Sequence, residues 1–172
     1  MIQLLGALLV ITSCVFFGYR SLSKSKESLA ALQQLTTVLR ELSRHISFHL
    51  EPVPEAISRL QESLSYGEDS FLTLVEQGIK KDPSGPISIP WKEAAGGFCT
   101  RFSLPEKVIS ELSRLGESLG KTDYQAECDR LDGVSGDLEM LFKEMEGSMQ
   151  KKEQTVKSLS ILLGVFVVIL LL

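Results

Sequence analysis

The chain has 172 residues, with 18 basic and 22 acidic side chains, two histidines and a formal net charge of −4. Every charged residue falls between Arg20 and Lys157, so residues 1–19 and 158–172 carry none. The acidic balance disfavours nucleic acid as a partner, since a phosphate backbone selects a basic face, and the uncharged ends read as membrane segments.

Residues 1–19, MIQLLGALLVITSCVFFGY, would rise about 28 Å as a helix, close to a hydrocarbon core of about 30 Å. Phe16, Phe17 and Tyr19 gather at one end, where interfacial aromatics sit. A cleaved signal peptide is the competing reading. No Lys or Arg precedes the apolar run and no small-x-small cleavage site follows Tyr19, so a transmembrane helix is expected.

Residues 20–157 are large enough for one domain with its own core. A helix is expected over 27–50, with Leu29, Leu32, Leu35, Leu39, Leu42 and Ile46 spaced three or four apart. It is stopped by Glu51-Pro52-Val53-Pro54, because proline removes a donor and restrains its predecessor. A second helix starts at Pro54, faces inward with Ile57, Leu60 and Leu64, and ends at Ser65-Tyr66-Gly67. Asp69 or Ser70 caps a third, with Phe71, Leu72, Val75 and Ile79 inward. Residues 81–90, KDPSGPISIP, form a loop, and Pro90 suits the first turn of a fourth helix. Trp91, Ala95, Phe98 and Phe102 make its apolar face; Gly96-Gly97 either weakens it or admits another helix. Leu104-Pro105 opens a fifth, with Val108, Ile109, Leu112, Leu115 and Leu119 inward.

The sixth helix begins near Asp123 and runs on towards the C-terminus. Leu131, Leu138, Met145, Lys152 and Leu159 share one heptad position, and Val134, Leu141, Ser148 and Thr155 another. This seam is apolar as far as Met145 and polar beyond it, which reads as a core helix becoming a solvated stalk. Residues 158–172, SLSILLGVFVVILLL, rise only about 22 Å, short for a span, yet show no polar face to water as a soluble core helix would need. The expected architecture is all-α: a bundle of about six helices (20–157) between N- and C-terminal transmembrane helices (1–19 and 158–172).

Charge sets the expected orientation. Residues 20–26 carry Arg20, Lys24 and Lys26 with no acid, and residues 151–157 carry Lys151, Lys152 and Lys157 against Glu153. Residues 27–150 hold 12 bases and 21 acids. Basic collars beside both ends place the domain in the cytoplasm; the collars sit against anionic membrane lipid, while the acidic middle is pushed from it.

Few residues point to chemistry. Cys14, Cys99 and Cys128 are far apart and odd in number, so neither a disulfide framework nor a zinc site is suggested. No Walker loop, G-x-S-x-G or H-E-x-x-H occurs. His45 and His49 have the i, i+4 spacing of two metal ligands, but no third ligand accompanies them and His49 continues the apolar seam. Glu68-Asp69 sits at a helix start, where acids suit the macrodipole. No catalytic residue, cofactor or metal is expected. Asp129, Asp132, Asp137, Glu139, Glu144 and Glu146 make the sixth helix acidic; this is either a solvated face or, through Asp137, Glu139, Glu144 and Glu146, a dock for a basic partner. Residues 112–125, LSRLGESLGKTDYQ, repeat Leu115-Gly116 as Leu119-Gly120 and then reach Asp123. Gly116 inside a helix costs about 1 kcal/mol against alanine and suggests that another backbone crosses there. Gly120 suits a left-handed helix end, and Thr122 or Asp123 caps the next helix.

The L-G-E-x-L-G-x-x-D corner at 115–123 resembles the stage III sporulation protein AB family of endospore-forming bacteria. So do the proline-led helix after His49-Leu50-Glu51-Pro52, the early L-L-G and the closing S-L-x-x-L-L-G-V tail. The resemblance covers essentially the whole chain. It implies a soluble domain similar to the cytoplasmic helical domain of the type II secretion platform protein F, located in the mother-cell membrane. The implied role is a non-enzymatic platform or adaptor of the channel between mother cell and forespore, with sporulation channel proteins and a secretion-type ATPase as partners. It carries over no catalytic residue, so Leu115, Gly116, Leu119, Gly120 and Asp123 are read as a structural corner or a partner-docking one. The platform protein has two tandem domains and this chain one, so a homo-oligomer is implied. The other reading is a membrane-anchored sensor or an extracytoplasmic channel component.

Overall fold

The computed structural model describes the backbone of residues 2–64, 67, 69–121 and 123–171, and the side chains of 22–63, 67, 69–121, 123–156, 158, 159 and 162. These residues form six α-helices and no strand: α1 (Ile2–His49), α2 (Val53–Leu64), α3 (Phe71–Lys81), α4 (Ser88–Arg101), α5 (Glu106–Ser118) and α6 (Tyr124–Leu171). The membrane segments expected at 1–19 and 158–172 lie outside the described side chains, apart from Ser158, Leu159 and Leu162. Among the described residues no helix is long and apolar enough to cross a membrane. The chain divides into two compact units, Met1–Leu29 with Lys143–Leu172, and Ala30–Phe142. The second is narrower than the 20–157 domain expected from charge.

The Ala30–Phe142 unit buries the stripes that its periodicities define. Leu32, Leu35, Leu39, Leu42 and Ile46 of α1 are fully buried, as are Ile57 of α2, Leu72 and Val75 of α3, and Val108 and Leu112 of α5. Each such side chain contributes about 2 kcal/mol on leaving water. Leu131, Val134 and Leu138 bring α6 into the same core. Between α6 and α1, Arg40 pairs with Glu139 at 2.8 Å, and the Cys128 thiol donates to the Ser43 carbonyl at 3.4 Å. Gln61 Nε2 donates to Thr73 Oγ1 at 2.8 Å, tying α2 to α3. In the other unit Ser28 and Leu29 are buried on α1; Met145 and Met149 of α6 are half-buried and Ser148, Lys152 and Thr155 exposed.

The helix ends follow local chemistry, with some shifts from expectation. Ser70, rather than Asp69, caps α3 by accepting the Thr73 N–H. Asp69 instead pairs with Arg101 at 2.6 Å, while Glu68 lies outside the described residues. α4 opens at Ser88, two residues before Pro90; proline is tolerated there because first-turn N–H groups have no helical partner. Phe102 is the cap of α4 rather than part of its face. Neither Gly96 nor Gly97 admits a neighbouring helix, since a Cβ at either would meet nothing within 4 Å.

Among the described residues two that are not glycine, Leu50 and Ser103, adopt φ of 51°. Ser103 is the left-handed residue of a Schellman motif: Leu104 N–H bonds to the Cys99 carbonyl at 2.9 Å and Ser103 N–H to the Thr100 carbonyl at 3.2 Å. A Cβ in this conformation costs about 1 kcal/mol. Ser103→Gly is therefore expected to raise stability by about 1 kcal/mol, read as a rise in Tm of about 3 °C.

Candidate functional site

The corner between α5 and α6 is assembled by two local hydrogen bonds and one left-handed residue. The Leu119 N–H bonds to the Leu115 carbonyl at 3.2 Å, closing α5. Gly120 follows with φ of 74°, the left-handed conformation that ends a helix at least cost. Asp123 Oδ1 then accepts the Ala126 N–H at 2.7 Å and caps α6; Thr122, the alternative cap, lies outside the described residues.

A third hydrogen bond locks the corner. The Glu127 carboxylate accepts the Gly120 N–H at 2.6 Å. Glu127 is only 3% exposed, so it satisfies a donor that the turn would otherwise leave without a partner. In sequence, this acid in the first turn of a helix shows only its fit to the macrodipole. Its spacing of seven from a left-handed glycine was the signal that could have found it.

Gly116 serves a different close approach from the one expected. It faces an aromatic ring, not a crossing backbone: a Cβ there would lie 2.3 Å from Trp91 Cδ1 and 2.9 Å from Cγ. Trp91 of α4 is fully buried and donates its indole N–H to the Leu112 carbonyl at 2.9 Å. Phe71 meets it edge-on, with ring centroids 4.9 Å apart. Leu115 and Leu119 are buried, so of the five corner residues only Gly120 and Asp123 face solvent. A cavity of about 400 Å³ opens beside them, its walls including Pro52, Ile79, Pro86, Lys121, Tyr124 and Glu127.

Asp137 and Glu139 belong to the Ala30–Phe142 unit, and Glu144 and Glu146 to the other. Two residues apart on a helix is about 200° of rotation, so the members of each pair point to opposite sides. Glu139 is also neutralised by Arg40. His45 and His49 stand with ring centroids 5.5 Å apart. His49 is exposed rather than seated in the seam, while His45 is half-buried. Among the described residues no three His, Cys, Asp or Glu side chains are grouped to hold a metal.

Cys99 and Cys128 are buried and free. Burial pushes the Cys99 thiol up to about 11 from its ordinary 9.0 and raises that of Cys128 as well. The folded state therefore favours the protonated thiol. Its contribution is whole below pH 9 and is lost as pH rises towards 11, a fall of about 2–3 kcal/mol for Cys99. Cys99→Ala is expected to flatten the alkaline decline by about that amount, measured by denaturant titration at about pH 8 and about pH 11.

The fold and corner define an all-helical protein with a glycine-aromatic corner beside a surface cavity. The profile of the stage III sporulation protein AB family matches residues 3–172, and the chain belongs to that family. It is 22% identical over 172 residues to stage III sporulation protein AB of Bacillus subtilis (strain 168), covering 100% of both chains. No solved structure matches. Family membership supports a role in sporulation.

Proposed function

We propose that the protein is a non-enzymatic membrane platform or adaptor of a secretion-like sporulation channel between mother cell and forespore. Residues 1–19 and 158–172 anchor it in the mother-cell membrane as a multi-pass protein, and its helical domain lies in the cytoplasm. There it couples a secretion-type ATPase to the channel. The carrying observation is the partition of charge: two uncharged ends, each followed inward by a basic collar, enclose an acidic middle. Such collars stay on the cytoplasmic side of a membrane. The reading is supported by the family match over nearly the whole chain, apolar ends included. One domain per chain requires several copies to present a platform.

The test is removal of the anchors. Chains lacking 2–19 or 158–172 are expected to fail in spore formation and to leave the ATPase unrecruited to the membrane fraction. Normal spore counts from a chain lacking both ends would refute the platform. Replacing Asp137, Glu139, Glu144 and Glu146 together with lysine addresses the docking face; undiminished ATPase recruitment removes the acidic dock.

A further inference from the structure

The cavity of about 400 Å³ beside the α5–α6 corner lies within the Ala30–Phe142 unit. Its walls are mostly apolar and include Pro52, Pro86, Ile79 and the half-exposed ring of Tyr124. Among the described residues that line it, Asp82, Lys121 and Glu127 carry charge. Glu127 is 3% exposed, and its Oε1 accepts the Gly120 N–H. Its second oxygen, Oε2, has no hydrogen bond or ion pair among the described residues. A carboxylate offers about four acceptor sites and loses its hydration on burial, so Oε2 is a poorly satisfied acceptor in the cavity wall. Asp82, exposed, has no ion pair among the described residues either. Lys121 answers neither acid. It acts on Glu117, whose carboxyl is held below its ordinary value first by Lys92 and in smaller part by Lys121.

We infer that this cavity receives an arginine side chain presented by a partner protein. The charges select a cation, and the apolar walls select one carried on a long apolar stem. A guanidinium is planar and more weakly hydrated than an ammonium, so it enters such walls at lower cost and stacks on the Tyr124 ring. Its N–H groups donate to Glu127 Oε2, which gives the buried carboxylate a charged partner. An arginine within a chain is selected over the free amino acid, whose own α-carboxylate would enter beside Asp82 and Glu127. The inference goes beyond the proposed platform and does not depend on coupling to an ATPase.

The test is an NMR titration of the full, detergent-solubilised chain with Nα-acetyl-arginine amide, read at the Gly120 amide that bonds to Glu127. Saturable shifts are expected at Gly120 and Lys121. Nα-acetyl-citrulline amide, of the same shape but uncharged, binds about tenfold more weakly. Free arginine binds about threefold more weakly than the blocked amide. Glu127→Gln keeps an acceptor for the Gly120 N–H and removes the charge, and it weakens arginine amide binding about tenfold. Asp82→Asn, at an exposed position outside the core, weakens it about threefold. No saturable shift at Gly120, citrulline amide binding as tightly as arginine amide, or unchanged affinity in Glu127→Gln overturns the inference. Free arginine binding more tightly than the blocked amide overturns the protein as its source.

Discussion

Trp91→Ala is expected to destabilise the protein by about 4 kcal/mol. Trp91 is fully buried, forms a T-shaped pair with Phe71 at 4.9 Å and donates its indole N–H to the Leu112 carbonyl. Truncation removes the largest buried side chain of the core and opens a cavity between α3, α4 and α5. Trp91→Phe keeps most of the apolar volume and loses the hydrogen bond, so its loss is about 1–2 kcal/mol. Denaturant titration of the detergent-solubilised chain reads both. A Trp91→Ala loss no larger than that of Trp91→Phe would show that the indole does not organise this core.

Gly116→Ala is the second large effect, a loss of about 2–3 kcal/mol, although alanine is the better helix former by about 1 kcal/mol. The added Cβ would lie 2.3 Å from Trp91 Cδ1 and 3.2 Å from its Cβ. These atoms belong to the stem of a ring held by Phe71 and Leu112, so the ring cannot swing away. The sign depends on the tryptophan. In a Trp91→Ala background the ring contacts are gone and only the 3.2 Å approach to the Cβ remains, so helix propensity offsets it and Gly116→Ala becomes nearly neutral. The double-mutant cycle therefore gives a coupling of about 2–3 kcal/mol. Additive losses would mean that Gly116 is needed for some other reason.

The periodic features were legible in the sequence because they are local. Six helices in the expected order, the α1 seam from Leu32 to Ile46 and the left-handed Gly120 followed by the Asp123 cap all depend on spacing within one or two turns. Tertiary partners were not legible. Gly116 announced a close approach, but Trp91, 25 positions earlier, supplies it, and nothing in residues 112–125 specifies a ring rather than a backbone. The Glu127–Gly120 bond was masked by the ordinary fit of an acid to a helix start. Gly96-Gly97 carries the same composition signal as Gly116 and faces open space. The acidic residues of α6 read as one patch because they are close in sequence, whereas helical rotation points neighbouring members apart. Ser103 and Leu50 take left-handed conformations that their side chains do not advertise.

The orientation of the domain is the claim on which the platform account turns, and topology tests it most directly. Because Cys99 and Cys128 are buried, the reporter is Gly97→Cys, at an exposed position with open space around it, in the Cys14→Ala chain. Intact cells are treated with a membrane-impermeant maleimide, and the treatment is repeated after permeabilisation. The account predicts labelling only after permeabilisation, with the domain on the cytoplasmic side where an ATPase can reach it. Labelling in intact cells would place the domain outside, contradict the charge-based orientation and favour a sensor or an extracytoplasmic channel component.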